Sequence, residues 1–335
     1  MPGYLTHLLF GRHTVHNLKK LSLASGLKEA IFTYPGAFHI GTQGPDLFFY
    51  ELKDNLNPRR ALGSTMHHTK TDEYFRACLD FLGKPNSAET KEIFASYFAG
   101  LICHYTLDCI AHPFIYWHTD YKVNTSGGLG YLATHCQYES NIDSLMLQRL
   151  KHCLPSDYNG ARFIKLTKNE SAMLGKGLSE TITTTYFPDN PSAYTTPSFM
   201  KHALYSMSKK VALLTDHGGP KRKIVETIEL LTARVHFLTC LFSVDDVDGT
   251  KDFLNEKNAV WKNPWDLSLE SSDSFLKLYQ DALLIAADRL RELACYYNSL
   301  MVSSSVYDKR NQYRQTLLNS LSDLSYNTGQ SWPLY

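Results

Sequence analysis

The sequence predicts an all-helical fold, and three observations carry that prediction. Ile93, Phe94, Tyr97, Phe98, Leu101, Ile102 and Tyr105 recur at the three-and-four spacing of one buried helical stripe. Leu276, Tyr279, Leu283, Ala286, Leu290, Leu293, Tyr297 and Leu300 alternate three and four without a break, the seam of a helix packed on other helices. No run of alternating apolar and polar residues reads convincingly as a strand.

From the N-terminus, helices are expected near residues 14 to 30 and 72 to 83. Asn86 with Glu89 three residues on has the capping-box arrangement that satisfies a helix's first free amides, so a helix starts there. It runs until Pro113, which removes an amide and forces an end or a kink. Thr134 is placed to cap a further helix over 135 to 153. Others are expected over 198 to 216, over 221 to 243 with Pro220 as a first residue, and over 306 to 325. Between them, Pro155 to Pro197 contains SDYNG and FPDNPSAYTTPS and is rich in turn formers. That stretch divides the chain into an N-terminal unit, 1–155, and a helical C-terminal region, 156–335, which can pack as part of the same domain.

At 335 residues the chain can bury a substantial core without disulfides. Hydrophobic and charged fractions of 43% and 20% are those of a globular protein, and a formal net charge of +1 gives no global field for nucleic acid or anionic membrane. The opening MPGYLTHLLFGRHTVH has only Leu8 to Phe10 as a continuous apolar run, so it does not read as a signal peptide. Nowhere do 18 apolar residues run together, so no membrane-spanning segment is expected. Seven cysteines, none paired as CxxC, suggest neither a disulfide framework nor a thiolate zinc site, and point to the reducing cytoplasm.

Histidine is the unusual residue: of fourteen, ten fall before position 136. In GLICHYTLDCIAHPFIYWHT, His104, Asp108 and His112 lie four residues apart on the expected helix. Each step of four drifts by roughly 40°, so the three side chains form one inward stripe able to converge on a metal. An acid and two imidazoles on an apolar stripe are costly to bury without a cation. THCQYES places His135 and Glu139 at the same spacing. GPDLFFY offers Asp46 behind Gly44 and Pro45, a turn that projects a carboxylate from a rigid corner; STMHHTK offers His67 and His68, and the N-terminus adds His7. Imidazoles and carboxylates without thiolates suit zinc in a catalytic site, where fewer protein ligands leave room for water or substrate.

His118 reads as a surface or supporting residue past the helix, and His13, His16 and His39 stay outside the ligand set. Gly127, Gly128 and Gly130 form a loop but lack the following Lys and Ser or Thr of a phosphate-binding loop. The DDVDG run at Asp245 lacks the full calcium pattern and reads as a solvated turn. Trp261 and Trp265 in WKNPW read as packing residues ahead of lipid contacts.

Over about residues 7 to 143, the ordered combination HYTLD, AHPF and HCQYE resembles the bacterial zinc-dependent phospholipase C family, whose helical fold is shared by single-strand-specific nucleases with a trinuclear zinc site. The resemblance implies a multi-helix zinc-binding bundle of that phospholipase C/nuclease type with additional C-terminal helices. It implies one zinc at Asp46, His67, His104 and Asp108, with His67 preferred to His68, and a second at His112, His135 and Glu139. A third, bridged through Asp108, would use His7 and, in the family, an N-terminal tryptophan. This chain has no such tryptophan, and the Pro2 amine, exposed by removal of Met1, is the substitute. The step from Asp108 to His112 is also shorter than in secreted members of the family.

The implied activity is hydrolysis of a phosphodiester, in a phospholipid or other small substrate, by a water activated at two or three zinc ions, with Asp46 orienting or deprotonating it and with transient membrane-surface contact. A nuclease on the same site would need an aromatic platform and a basic groove, and the near-neutral charge weighs against nucleic acid. A zinc-stabilised binding protein without turnover is the third reading. There is no HExxH, no adjacent His-Asp pair and no GxSxG elbow to support another hydrolase class.

Overall fold

A computed structural model of the protein describes residues 3–20, 25–50, 58–123, 128–189, 191, 195–216, 219–232, 238–301 and 307–331. The architecture is an all-α bundle around one buried helix, α6 (Ala88–His118). Its flanks are apolar on nearly every side from Ile93 to Ile115, so the amphipathic stripe read from sequence is part of a fully enclosed helix. By length and composition α6 is apolar enough to cross a membrane, but 94% of its most apolar stretch lies inside the protein.

Two expectations for α6 shift. Ser87, one residue later than Asn86, is the cap: its hydroxyl accepts from Thr90 N at 3.2 Å, while Asn86 Nδ2 donates to the Phe81 carbonyl. Pro113 does not end the helix, which continues to His118. The Cys109 carbonyl that Pro113 leaves without an amide is covered by Gly329, where a Cβ would come within 2.4 Å of it.

Around α6 pack α1 (Tyr4–Lys20), α2 (Ser25–Thr33), α3 (Pro35–Gly41), α8 (Lys168–Tyr186) and α11 (Phe275–Ser299). The closest crossing is with α3. A Cβ on Gly41 would sit 2.1 Å from the Tyr97 carbonyl, and one on Gly100 2.1 Å from that of Phe38, so only paired glycines let these backbones touch. α11 buries Tyr279, Ala286, Leu290, Leu293 and Tyr297 of its predicted seam. It also carries a buried cation: Arg289 donates to Thr106 Oγ1 at 2.8 Å and to the Ser320 carbonyl, and lies over the Tyr105 ring.

The remaining helices are α4 (Pro58–His68), α5 (Thr71–Gly83), α7 (Leu129–Lys151), α9 (Pro197–Leu214), α10 (Pro220–Thr232) and α12 (Tyr307–Leu321). The single helix expected over 14 to 30 is the pair α1 and α2, with residues 21–24 outside the described residues. α7 begins well before Thr134, whose hydroxyl donates to the Gly130 carbonyl inside the helix instead of capping it; Gly128 and Gly130 belong to its start, and Gly127 lies outside the described residues. α10 stops at Thr232, short of 243; residues 233–237 are outside the described set.

The Pro155–Pro197 stretch holds a full helix, α8, opened by a capping box between Thr167 and Glu170. Gly177 keeps that helix close to Phe94 of α6. Among the described residues the bundle carries one small antiparallel hairpin: β1 (Trp261–Asn263) pairs with β2 (Asp266–Ser271). Trp261 is buried edge-on against Phe114, with its indole N–H on the Asp273 carbonyl. The seven cysteines are free thiols.

Candidate metal centre

The ligand stripe of α6 points to one place. His104, Asp108 and His112 are fully buried, and His104 Nε2 lies 3.0 Å from Asp108 Oδ2. α1 adds His7, whose ring stacks on His104 at 4.2 Å and whose Nε2 is 3.0 Å from Asp108 Oδ1. What aims α1 is Asp143, one turn beyond Glu139 on α7: its two oxygens accept the amides of Leu5 and Thr6, each at 2.8 Å. A carboxylate on the first free amides of a helix also meets the positive end of the helix dipole. Burial raises the Asp143 pKa to about 6, against the opposing pull of those hydrogen bonds.

Asp46 lies in a 3-10 turn, Gly44–Phe48, pressed onto α6. Gly44 has φ +48°, and a Cβ there would come within 2.4 Å of the His104 ring, so the turn needs glycine on both counts. His67, in the last turn of α4, puts Nε2 3.1 Å from Asp46 Oδ1 and 3.7 Å from Asp108 Oδ2. His68 makes other contacts: its Nδ1 donates to the Ser64 carbonyl and its Nε2 meets Asn327 Nδ2. On α7, His135 Nε2 lies 2.8 Å from Glu139 Oε1.

The eight side chains picked out in the sequence therefore converge. Their ligand atoms lie within 4.8 Å of one another in three groups: His7, Asp46 and His104; His67, His104 and Asp108; His112, His135 and Glu139. His7 thus shares its group with Asp46 and His104. Pro2, the expected substitute for the tryptophan, lies outside the described residues.

The hydrogen bonds around these groups fit cations. His67, His104 and His112 each place Nδ1 on a backbone carbonyl, of Gly63, Thr42 and Tyr326, at 2.7, 3.1 and 2.8 Å. A carbonyl only accepts, so Nδ1 carries a proton, and Nε2 is the nitrogen left to present a lone pair inward to a cation. That lone pair faces carboxylate oxygens, which are also acceptors. Accordingly His7 Nε2, His67 Nε2, His104 Nε2, His112 Nε2, Asp46 Oδ1 and both Asp108 oxygens are buried without a hydrogen-bond partner. Burial holds the pKa of His112 and His135 well below the ordinary value and lowers that of His7, so these rings stay neutral and available as ligands. Burial would raise the Asp108 pKa, yet the neighbouring His104 foremost holds it well below the usual carboxylate range. At His104 burial is outweighed by Asp108 and Asp46, and the shift is upward. Buried carboxylates facing lone pairs are stable only with positive charge among them, and an N/O donor set of this kind suits zinc.

Sequence reasoning missed the carbonyl side of this arrangement. Tyr326 lies 214 residues after His112 and orients it with a main-chain oxygen, while its ring packs on His67 and His104. The segment around it is fixed by Ser325 Oγ and Tyr326 N, both donating to the His67 carbonyl. No side-chain pattern announces a backbone acceptor; the Asp143 cap had a signal only in its helical spacing from Glu139. His118 is the last residue of α6 rather than past it, and packs between Phe114 and Tyr138. His13 bonds to Tyr279.

The groups open on a cavity of about 590 Å³. Asp46, His67, His135 and Glu139 are in its lining, together with the apolar side chains of Phe49, Leu132, Leu213, Leu214 and Leu241. Tyr116 and Tyr131, also in the lining, stand beside His135, and behind them Tyr121 and Trp265 complete a cluster of rings. Comparisons with curated proteins and with solved structures return no match. The family profile of zinc dependent phospholipase C matches residues 6–187, more than half of the chain and further than the stretch of motif resemblance, taking in all eight converging side chains and α8. With that match over the same residues that build the three groups, the chain belongs to the zinc-dependent phospholipase C family.

Proposed function

We infer that the protein cleaves the phosphodiester bond of a phospholipid, releasing the glycerol alcohol and the phosphorylated head group. The observation that carries this reading is one shared cavity: acidic and imidazole groups and five apolar side chains line the same space, which suits a phosphate head group together with acyl carbon. Two or three zinc ions in the groups of His7, Asp46, His67, His104, Asp108, His112, His135 and Glu139 would supply the charge that neutralises phosphate oxygens and lowers the pKa of a water.

The chain's own part follows from its geometry. Asp46, on a rigid turn at the cavity surface, takes the proton of the attacking water. The water oxygen forms the new bond to phosphorus, the bond from phosphorus to the glycerol oxygen breaks, and that oxygen takes up a proton. Thr42, Gly63 and Tyr326 hold three imidazoles by their carbonyls, so their rings keep one tautomer throughout. The free cysteines suit the reducing cytoplasm expected from the sequence, and that location is part of the proposal.

A single-strand nuclease is the second reading, favoured by the ring cluster of Tyr116, Tyr121, Tyr131 and Trp265 beside His135, on which bases could stack. The test joins metal analysis of the purified protein with assays on a chromogenic phosphocholine ester, a simple diester and single-stranded DNA. Zinc with ester hydrolysis is expected; turnover confined to DNA selects the nuclease, and zinc with no turnover on any of them selects a binding protein. Asp46→Asn should lower the rate by about 10²- to 10⁴-fold with the melting temperature retained. An unchanged rate removes Asp46 from the mechanism.

A further inference from the structure

We propose that α10, with the exposed face of α9, docks the protein on a lipid surface bearing anionic head groups; this rests on the phospholipid reading above. α10, PKRKIVETIELLT, is turned inside out relative to an ordinary surface helix. Its acid Glu229 is buried, accepting from the amides of Leu238 and Thr239 at 2.6 and 3.0 Å and from the Thr239 hydroxyl. Its apolar stripe, Ile224, Ile228 and Leu231 at positions i, i+4 and i+7, faces out, with exposures of 62%, 53% and 81%. Three aliphatic side chains on one solvent face of a short helix cost free energy that only a partner repays.

The charges around this stripe choose the partner. Lys221 and Lys223 are exposed beside it, and the other acid of the helix, Glu226, is half-buried on the inner side. α9 contains no acid at all; its exposed face carries Lys201, Tyr205, Lys209 and Leu213, with the Lys209 ammonium 5.4 Å from the Tyr205 ring centroid. Outward apolar residues, a surface tyrosine and exposed lysines without exposed acids form the pattern of helices that lie in a membrane interface. Their cations complement anionic lipid, which a second copy of this same basic face would repel.

Position links the patch to the site. Lys221 Nζ donates to the carbonyls of Leu213 and Thr215 at 3.0 and 2.8 Å, and the Asp216 carboxylate accepts the amides of Lys221 and Arg222. Leu213, Thr215 and Asp216 line the cavity, as do Cys240 and Leu241 just past the Glu229 clasp. Both ends of α10 are thus fastened to the wall of the cavity that would receive a lipid. A membrane on this face lies next to the opening through which its own molecules would leave it.

The test is co-sedimentation of the full zinc-loaded chain with vesicles of phosphatidylcholine alone and of phosphatidylcholine mixed with phosphatidylserine. Binding should be stronger on the anionic vesicles and weaken with salt. Ile224→Ser/Ile228→Ser should lower vesicle partition by about tenfold or more, with melting temperature and turnover of the soluble phosphocholine ester unchanged. Equal partition of parent and variant overturns the docking face. So does a parent that binds no vesicle but forms a dimer that the variant abolishes, which would make a second copy the occupant. Co-sedimentation needs no turnover, so a parent that binds through these residues yet cleaves nothing supports docking and overturns the hydrolase reading alone; ester cleavage without vesicle binding does the reverse.

Discussion

His39 shows what burial does to an imidazole that has no carboxylate beside it. It lies on α3 between Phe38 and Phe163, and burial together with the nearby Arg12 cation lowers its pKa to about 4, against the opposing pull of the Pro35 carbonyl. A pKa depressed in the folded state means that the unfolded chain takes up the proton first. The stabilisation is present above the ordinary value near 6.5 and is lost as pH falls towards 4. His39→Gln should therefore flatten the loss of stability between about pH 7 and pH 5 by on the order of 1–2 kcal/mol, read from urea midpoints at the two pH values. Identical slopes for parent and variant would remove His39 from the acid response. At His104, by contrast, Asp108 and Asp46 outweigh burial and the shift is upward, a difference visible in sequence only through spacing. Four-residue steps on one helix expose His104, Asp108 and His112 to a reader; His39 gives no such sign in either direction.

Among the elements, α1 depends on a cap from another part of the chain. Asp143→Ala removes both acceptors from the amides of Leu5 and Thr6. It should cost roughly 2 kcal/mol in the metal-free protein, measured by urea unfolding, and should weaken zinc retention by loosening His7. Asp143→Asn, which keeps one acceptor oxygen, should fall between. Retained stability and zinc content in the alanine variant would leave α1 positioned by packing alone. The same dependence explains what the sequence concealed. The seam of α11 and the stripe of α6 were legible because side-chain periodicity is the force that packs them. The start of α1 was not, because its cap is 138 residues away, and the passage of α6 through Pro113 was not, because Gly329 shields the orphaned carbonyl from the far end of the chain. α8 did have a local signal in Thr167 and Glu170, obscured by the turn formers around it.

For the whole molecule, the candidate metal groups join distant parts of the bundle: α1, the Gly44–Phe48 turn, α4, α6 and α7 all contribute a side chain. Removing cations leaves buried acceptors opposed to one another, so chelation should lower the melting temperature by on the order of 5–10 °C, and zinc should restore it. Thermal denaturation with and without chelator, alongside metal content, measures this; an unchanged melting temperature after complete metal loss would mean that the bundle stands without the ions. The hold of the Tyr326 carbonyl on His112 carries one more consequence, for biosynthesis. Every candidate ligand, from His7 to Glu139, leaves the ribosome long before residue 326, so a growing chain can gather its imidazoles while the ring of His112 still turns freely. Alignment of that ring in the candidate metal centre therefore waits until residue 326 has been made.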